Sequence, residues 1–163
     1  MPSMGQSQLH NLLRHNLDVM HIEKNIVDSI LGTLLDISGK TKDHRKARYD
    51  LKAMGIKKNL HPKDTEDSKG TNFAKAFFSM TNGEKSFFCG VLKTAKLPDG
   101  SASNISRCVH LDERKLSNYK THDDNFMLHY LLPIPIKSIL PDHVAILLIR
   151  LSSFFHHLRN WIA

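Results

Sequence analysis

Residues 11–25, Asn11-Leu12-Leu13-Arg14-His15-Asn16-Leu17-Asp18-Val19-Met20-His21-Ile22-Glu23-Lys24-Asn25, gather acids, imidazoles and bases just where an amphipathic period begins. Over 18–35 the apolar residues Val19, Ile22, Ile26, Val27, Ile30, Leu31 and Leu34 recur at three- and four-residue spacings, which sets them on one side of a helix. Asp18 is its natural N-cap. His21, Lys24, Asn25 and Asp28 fall on the opposite side, and Asp18, one turn earlier, reaches toward His21. Glu23 points among the apolar residues, where an unpaired carboxylate costs several kcal/mol to bury, so it needs a partner or an exit to solvent. On spacing alone the plainer reading is that Asp18 only caps, His21 is solvated and Glu23 snorkels.

The chain has 163 residues, which suits one domain of ordinary size. Lys and Arg outnumber Asp and Glu by 23 to 16, and there are eleven histidines; this balance favours an anionic partner such as nucleic acid over an acidic protein substrate. The basicity is local. Stretch 40–63 holds nine Lys and Arg against Asp43 and Asp50, an excess equal to the net charge of +7. A helix over 42–54 turns Ala47, Leu51 and Met54 inward and spreads Arg45, Lys46, Arg48 and Lys52 toward solvent. Lys42, Arg45, Lys46, Arg48, Lys52, Lys57 and Lys58 are therefore the candidate DNA-binding residues, in a weak contact without sequence preference. A merely solvated basic face fits the same residues. Tyr49 is the single aromatic interleaved with these bases, so stacking should add little and double-stranded DNA should bind at least as well as single strands.

Residues 1–10 are polar and read as a non-native or disordered start, followed by a motif helix and a basic helix over 11–60. Ser38-Gly39 ends the first helix. Gly39-Lys40-Thr41 is not a phosphate-binding loop, which needs a glycine where Leu34 stands. Residues 61–72 are the expected linker, and 73–132 a helical segment with a loop. Within it, Thr81-Asn82-Gly83-Glu84 is a capping box opening a helix over 82–96 that buries Phe87, Phe88, Val91, Leu92 and Ala95. Phe77 and Phe78 pack as core, and Pro98-Asp99-Gly100 makes a turn. Asp123 and Asp124 are expected as the N-cap of a short helix through Leu132. Over 133–163, Pro133, Pro135 and Pro141 form a stiff connector, and Asp142 begins a last helix apolar around nearly its whole circumference. An exposed apolar face over 144–162 invites self-association or a protein partner; Phe154 and Phe155 are expected in the core, His156 and His157 at the surface.

Cys89 and Cys108 are the only cysteines and no signal peptide is evident, which fits an intracellular, reducing compartment. No stretch approaches the roughly 18 uninterrupted apolar residues of a membrane span, so no membrane partner is expected. Cys108, His110, His122 and His129 lack the paired spacing of a structural zinc site, and no metal ligand is assigned.

Residues 12–43, LLRHNLDVMHIEKNIVDSILGTLLDISGKTKD, resemble the transposases of plant CACTA (En/Spm-like) transposable elements. So do Ala47-Arg48-Tyr49-Asp50-Leu51, Met54-Gly55-Ile56, Leu97-Pro98-Asp99-Gly100 and Ala102-Ser103-Asn104-Ile105-Ser106-Arg107-Cys108-Val109, then Thr121-His122-Asp123 and Leu131-Leu132-Pro133. From Leu140-Pro141 through Ser152-Ser153-Phe154-Phe155 the chain is similar to the start of a plant transposase-associated domain of unknown function. The resemblance implies an RNase H-like nuclease that cuts and joins DNA with divalent metal (Mg) held by three acids, working in the nucleus. Asp18 and His21 match the family's Asp/Cys-x-x-His signature, between the second and third acids, and are the candidate catalytic residues on that ground. The first two acids are expected upstream of Asn11 and the third beyond Ala163. What is expected is thus a mainly α, insertion-type segment of an RNase H-like transposase, incomplete as a stand-alone domain, inactive alone and without a cofactor of its own. The alternatives are a domesticated DNA-binding module using the basic stretch and an interaction module using the last helix.

Overall fold

The apolar period of 18–35 becomes helix α1, Val19–Leu34. Its inward face runs Val19, Glu23, Val27 and Leu31, spaced by four, with Leu34 closing it. Ile22 was expected on that face but is exposed, because it lies about 100° around the helix from Glu23. The computed structural model describes residues 18–64, 70–96 and 104–162; the start over 1–10, the motif residues 11–17 and the Pro98-Asp99-Gly100 turn lie outside them.

α1 ends earlier than Gly39. Leu35 is the C-cap, Asp36 takes the left-handed conformation at φ 55°, and the Ile37 N–H reaches back to the Gly32 carbonyl at 2.8 Å while the Asp36 N–H reaches Thr33 at 3.3 Å. This pair of bonds is a Schellman closure. The chain then folds back so tightly that a Cβ on Gly32 would stand 2.8 Å from the Lys40 carbonyl oxygen, which is why glycine occupies that turn of the helix.

Helix α2 spans Arg45–Ala53, with the His44 Nδ1 accepting the Ala47 N–H at 3.1 Å as its cap. It is shorter than the expected 42–54 and lies at the rim. Met54, assigned inward, is 61 % exposed, and the inward position is taken by Arg48. A 3-10 turn, Lys58–Leu60, buries Leu60. The expected linker is paired at its two ends: β1, Lys63–Asp64, runs antiparallel to β2, Thr71–Asn72. Residues 65–69 between them lie outside the described residues.

Helix α3, Asn82–Thr94, opens on the expected capping box: Glu84 N–H donates to Thr81 Oγ1 at 3.2 Å and Thr81 N–H donates to Glu84 Oε2 at 2.6 Å. Its buried stripe is Phe88, Cys89 and Leu92. Phe87 is exposed, since it lies about 100° around the helix from Phe88 on the side away from Cys89, and Phe77 is exposed while Phe78 packs against the core. A 3-10 turn, Ile105–Cys108, leads into β3, Val109–His110, antiparallel to β4, Lys115–Leu116.

Helix α4, Thr121–Phe126, begins two residues before Asp123, the first of the two expected caps; its N-cap is Lys120, and Asp123 instead accepts the Lys120 N–H at 2.8 Å from inside the first turn. It continues through a π-helical turn, Met127–Leu131, into α5, Pro133–Ile139. Pro133 and Pro135 are therefore helical rather than a stiff connector; at the first turn a missing N–H costs nothing. Helix α6, Asp142–Ile162, follows Pro141. Val27, Leu31, Phe88, Leu92, Met127, Leu128 and Ile136 form the centre of the core, where α1 packs on α4, α3 on α5 and α5 on α6. On α6, Ala145, Ser152 and Phe155 are buried; Phe154 is 57 % exposed, against expectation, because its neighbour Phe155 takes the inward position. Ile146 and Leu147 also face solvent, as do His156 and His157. None of the described helices is long and apolar enough to cross a membrane.

Candidate nucleic-acid interface

The basic stretch folds as an exposed rim. Lys42, Arg45, Lys46 and Lys52 are exposed on and beside α2, and Lys57 and Lys58 follow at a reversal where Gly55 and Lys57 take positive φ values of 69° and 51°. Arg48 is the exception and corrects the expectation that it faces solvent. It is 4 % exposed, its guanidinium forks onto the Asp43 carboxylate, with Nη2 donating to Oδ2 at 2.6 Å, and Nη1 donates to the Leu60 carbonyl at 3.1 Å. A buried cation persists only with such partners. Arg48 thus fixes α2 to the turn behind it, and takes Asp43 out of competition with the exposed cations.

Two aromatic rings sit on this rim. Phe73, just after β2, carries the Arg45 guanidinium over its face at 5.4 Å and the Tyr49 ring edge-on at 6.3 Å between centroids. The Tyr49 hydroxyl lies 3.4 Å from Thr71 Oγ1, and the ring remains 43 % exposed.

Asp18 and His21 stand together at the start of α1, joined through the main chain: Asp18 Oδ1 accepts the His21 N–H at 3.0 Å. Both are exposed. The carboxylate thus serves the helix as its cap. Among the described residues, no group of three His, Cys, Asp or Glu side chains is arranged to hold a metal ion. His122 Nε2 lies 3.3 Å from Asp123 Oδ1. Cys89 and Cys108 are buried free thiols whose pKa values burial raises.

Behind the rim, α1 and α4 enclose polar groups that the sequence did not connect. Glu23 receives Asn125 Nδ2 and meets His129 Nε2 at 3.0 Å, which supplies the partner its inward direction demanded. Asp28 accepts from Lys24 at 2.5 Å, from the Tyr119 hydroxyl at 2.6 Å and from Lys40 at 3.1 Å. Burial alone would raise Asp28, but these three donors outweigh it and hold the carboxyl at about 2. Tyr119 is raised by burial and by the same carboxylate. Asp124 is fully buried and neither of its oxygens has a hydrogen-bond partner among the described residues. Burial first, then the charge of Asp28, push it up to about 7 against the pull of Lys24 and Lys40.

Comparison with protein-family models, with curated proteins and with solved structures finds no match to this chain.

Proposed function

We propose that this chain is a transposon-derived DNA-binding segment, related to the helical insertion of the CACTA-type, RNase H-like transposases, and that it contacts phosphates through Lys42, Arg45, Lys46, Lys52, Lys57 and Lys58. The observation that carries the reading is the segregation of charge on 40–63: the cation that could not be solvated, Arg48, is neutralised internally, and six of the other eight, Lys42, Arg45, Lys46, Lys52, Lys57 and Lys58, are exposed to solvent on and beside α2. Exposed cations clustered on one rim are the electrostatic footprint of a backbone reader. The motif run over 12–43 supports the transposase relation. On this reading the chain acts in the nucleus and is not a nuclease by itself.

A rim that meets about four phosphates should lose affinity with salt at a log–log slope near −3.6, since each neutralised phosphate releases about 0.9 counterion. Replacing Arg45, Lys46 and Lys52 by Ala together should flatten the slope by roughly 2–3. An unchanged slope in that variant would remove the proposal. A second reading, a protein-interaction module, rests on Ile146, Leu147 and Phe154, which α6 leaves exposed. It predicts concentration-dependent association, lost in Leu147→Asp.

A further inference from the structure

We propose that Tyr49 is a stacking platform for an unpaired base, so that the basic rim takes single-stranded nucleic acid in preference to duplex; this rests on the DNA-binding reading above and names the form of its ligand. Stacking was expected to add little because Tyr49 alone interleaves with the bases in sequence. The fold changes this by bringing Phe73 beneath the helix. Arg45 and Tyr49, one turn apart, both rest on the Phe73 ring, and the Tyr49 hydroxyl reaches Thr71. An exposed aromatic held by a perpendicular ring contact and at its hydroxyl keeps one orientation, so little rotamer freedom is left to lose when a base lies on its face.

The charges around the ring suit a strand. Arg45 and Lys46 precede Tyr49 by four and three residues and Lys52 follows by three, which are the spacings that share a helix face. From Arg45 to Lys52 the rise along the axis is about 10 Å, so cations bracket the ring on both sides, where the phosphates flanking a stacked base would run. In a duplex the faces of the bases are already stacked on one another, and only the phosphate contacts remain for the protein to make. In a single strand each base has a free π-face, and stacking on an aromatic side chain adds to the phosphate term without sequence preference.

The test measures binding of the whole chain to a labelled single strand of about 12 nucleotides and to the same sequence as duplex. Wild type should prefer the single strand, and Tyr49→Ala should weaken single-strand binding about tenfold while leaving duplex binding unchanged. Tyr49→Phe, which keeps the ring, should behave as wild type. Tyr49→Leu keeps an apolar contact to Phe73 without a π-face and should lose the preference as Ala does, which holds the test open should the alanine variant fold poorly. Salt-dependent binding in which Tyr49→Leu has no effect on the single strand, or weakens both ligands equally, overturns the platform and leaves the phosphate reading standing. No salt-dependent binding of either ligand overturns both.

Discussion

Glu23 and His129, separated by 106 residues, meet in the interior at 3.0 Å, with side chains 1 % and 2 % exposed. The contact ties α1 to the π-helical turn and, with Asn125, leaves neither Glu23 oxygen unpaired. Removing one member strands the others in a medium that cannot solvate them. Glu23→Ala should therefore cost about 3–5 kcal/mol of folding stability, read from the denaturant midpoint at unchanged slope. A loss under about 1 kcal/mol would show that the pair is dispensable.

Asp124 and Asp28 give stability opposite pH dependences. Asp124, pushed up to about 7 from an ordinary value of 3.8, binds its proton more tightly folded than unfolded. Its contribution is complete below about pH 4 and is lost as pH rises toward 7. Asp28, held at about 2, contributes above about pH 4 and loses that contribution as pH falls through 2. Together the pair is most favourable near pH 4. Asp124→Asn should abolish the decline between pH 4 and 7, which reaches as much as about 4 kcal/mol in the wild type at about 1.4 kcal/mol per unit. Thermal melts across that range check it; equal slopes in wild type and variant would show that Asp124 does not titrate there.

Arg48 separates fold from binding. Arg48→Ala should destabilise by about 3 kcal/mol because Asp43 and the Leu60 carbonyl lose their donor, and Arg48→Lys should not restore the loss, since an ammonium cannot fork onto a carboxylate. Under conditions where the variant stays folded, its DNA salt slope should match wild type. A flattened slope would place Arg48 among the phosphate contacts after all.

Asp36 occupies the left-handed position that closes α1, at φ 55°. Asp36→Gly removes the Cβ penalty there and should stabilise by about 1 kcal/mol. A variant less stable than wild type would mean that the Asp36 side chain makes a contribution larger than the backbone strain.

Much of the scaffold was legible from local signals. Asp18, the four-residue spacing of Val19, Val27 and Leu31, and the Thr81–Glu84 box each act within one or two turns, and α1 and α3 begin where they indicate. The last helix, too, starts at Asp142. Errors arose where neighbouring residues competed for one inward position: Phe88 displaced Phe87, and Phe155 displaced Phe154. Arg48 was misplaced because its two partners, Asp43 and the Leu60 carbonyl, are defined only once the turn after α2 folds back. Gly39 looked like the helix terminator, but the Ile37 bond to Gly32 had already closed the helix at Asp36. The need of Glu23 for a partner could be read from its direction; that the partners were Asn125 and His129 could not, because nothing local connects α1 to the turn after α4. The rim residues Lys42, Arg45, Lys46, Lys52, Lys57 and Lys58 were legible as a charge cluster, whereas Phe73, from beyond the expected linker, was not.

The most direct test of the DNA-binding account is an amide chemical-shift titration of the whole chain with short DNA at low and at high salt. The account predicts perturbations concentrated on residues 42–58 and 71–73, fading as salt rises. Perturbations confined to α6 around Ile146, Leu147 and Phe154, or a basic rim that does not respond to DNA at low salt, would contradict it.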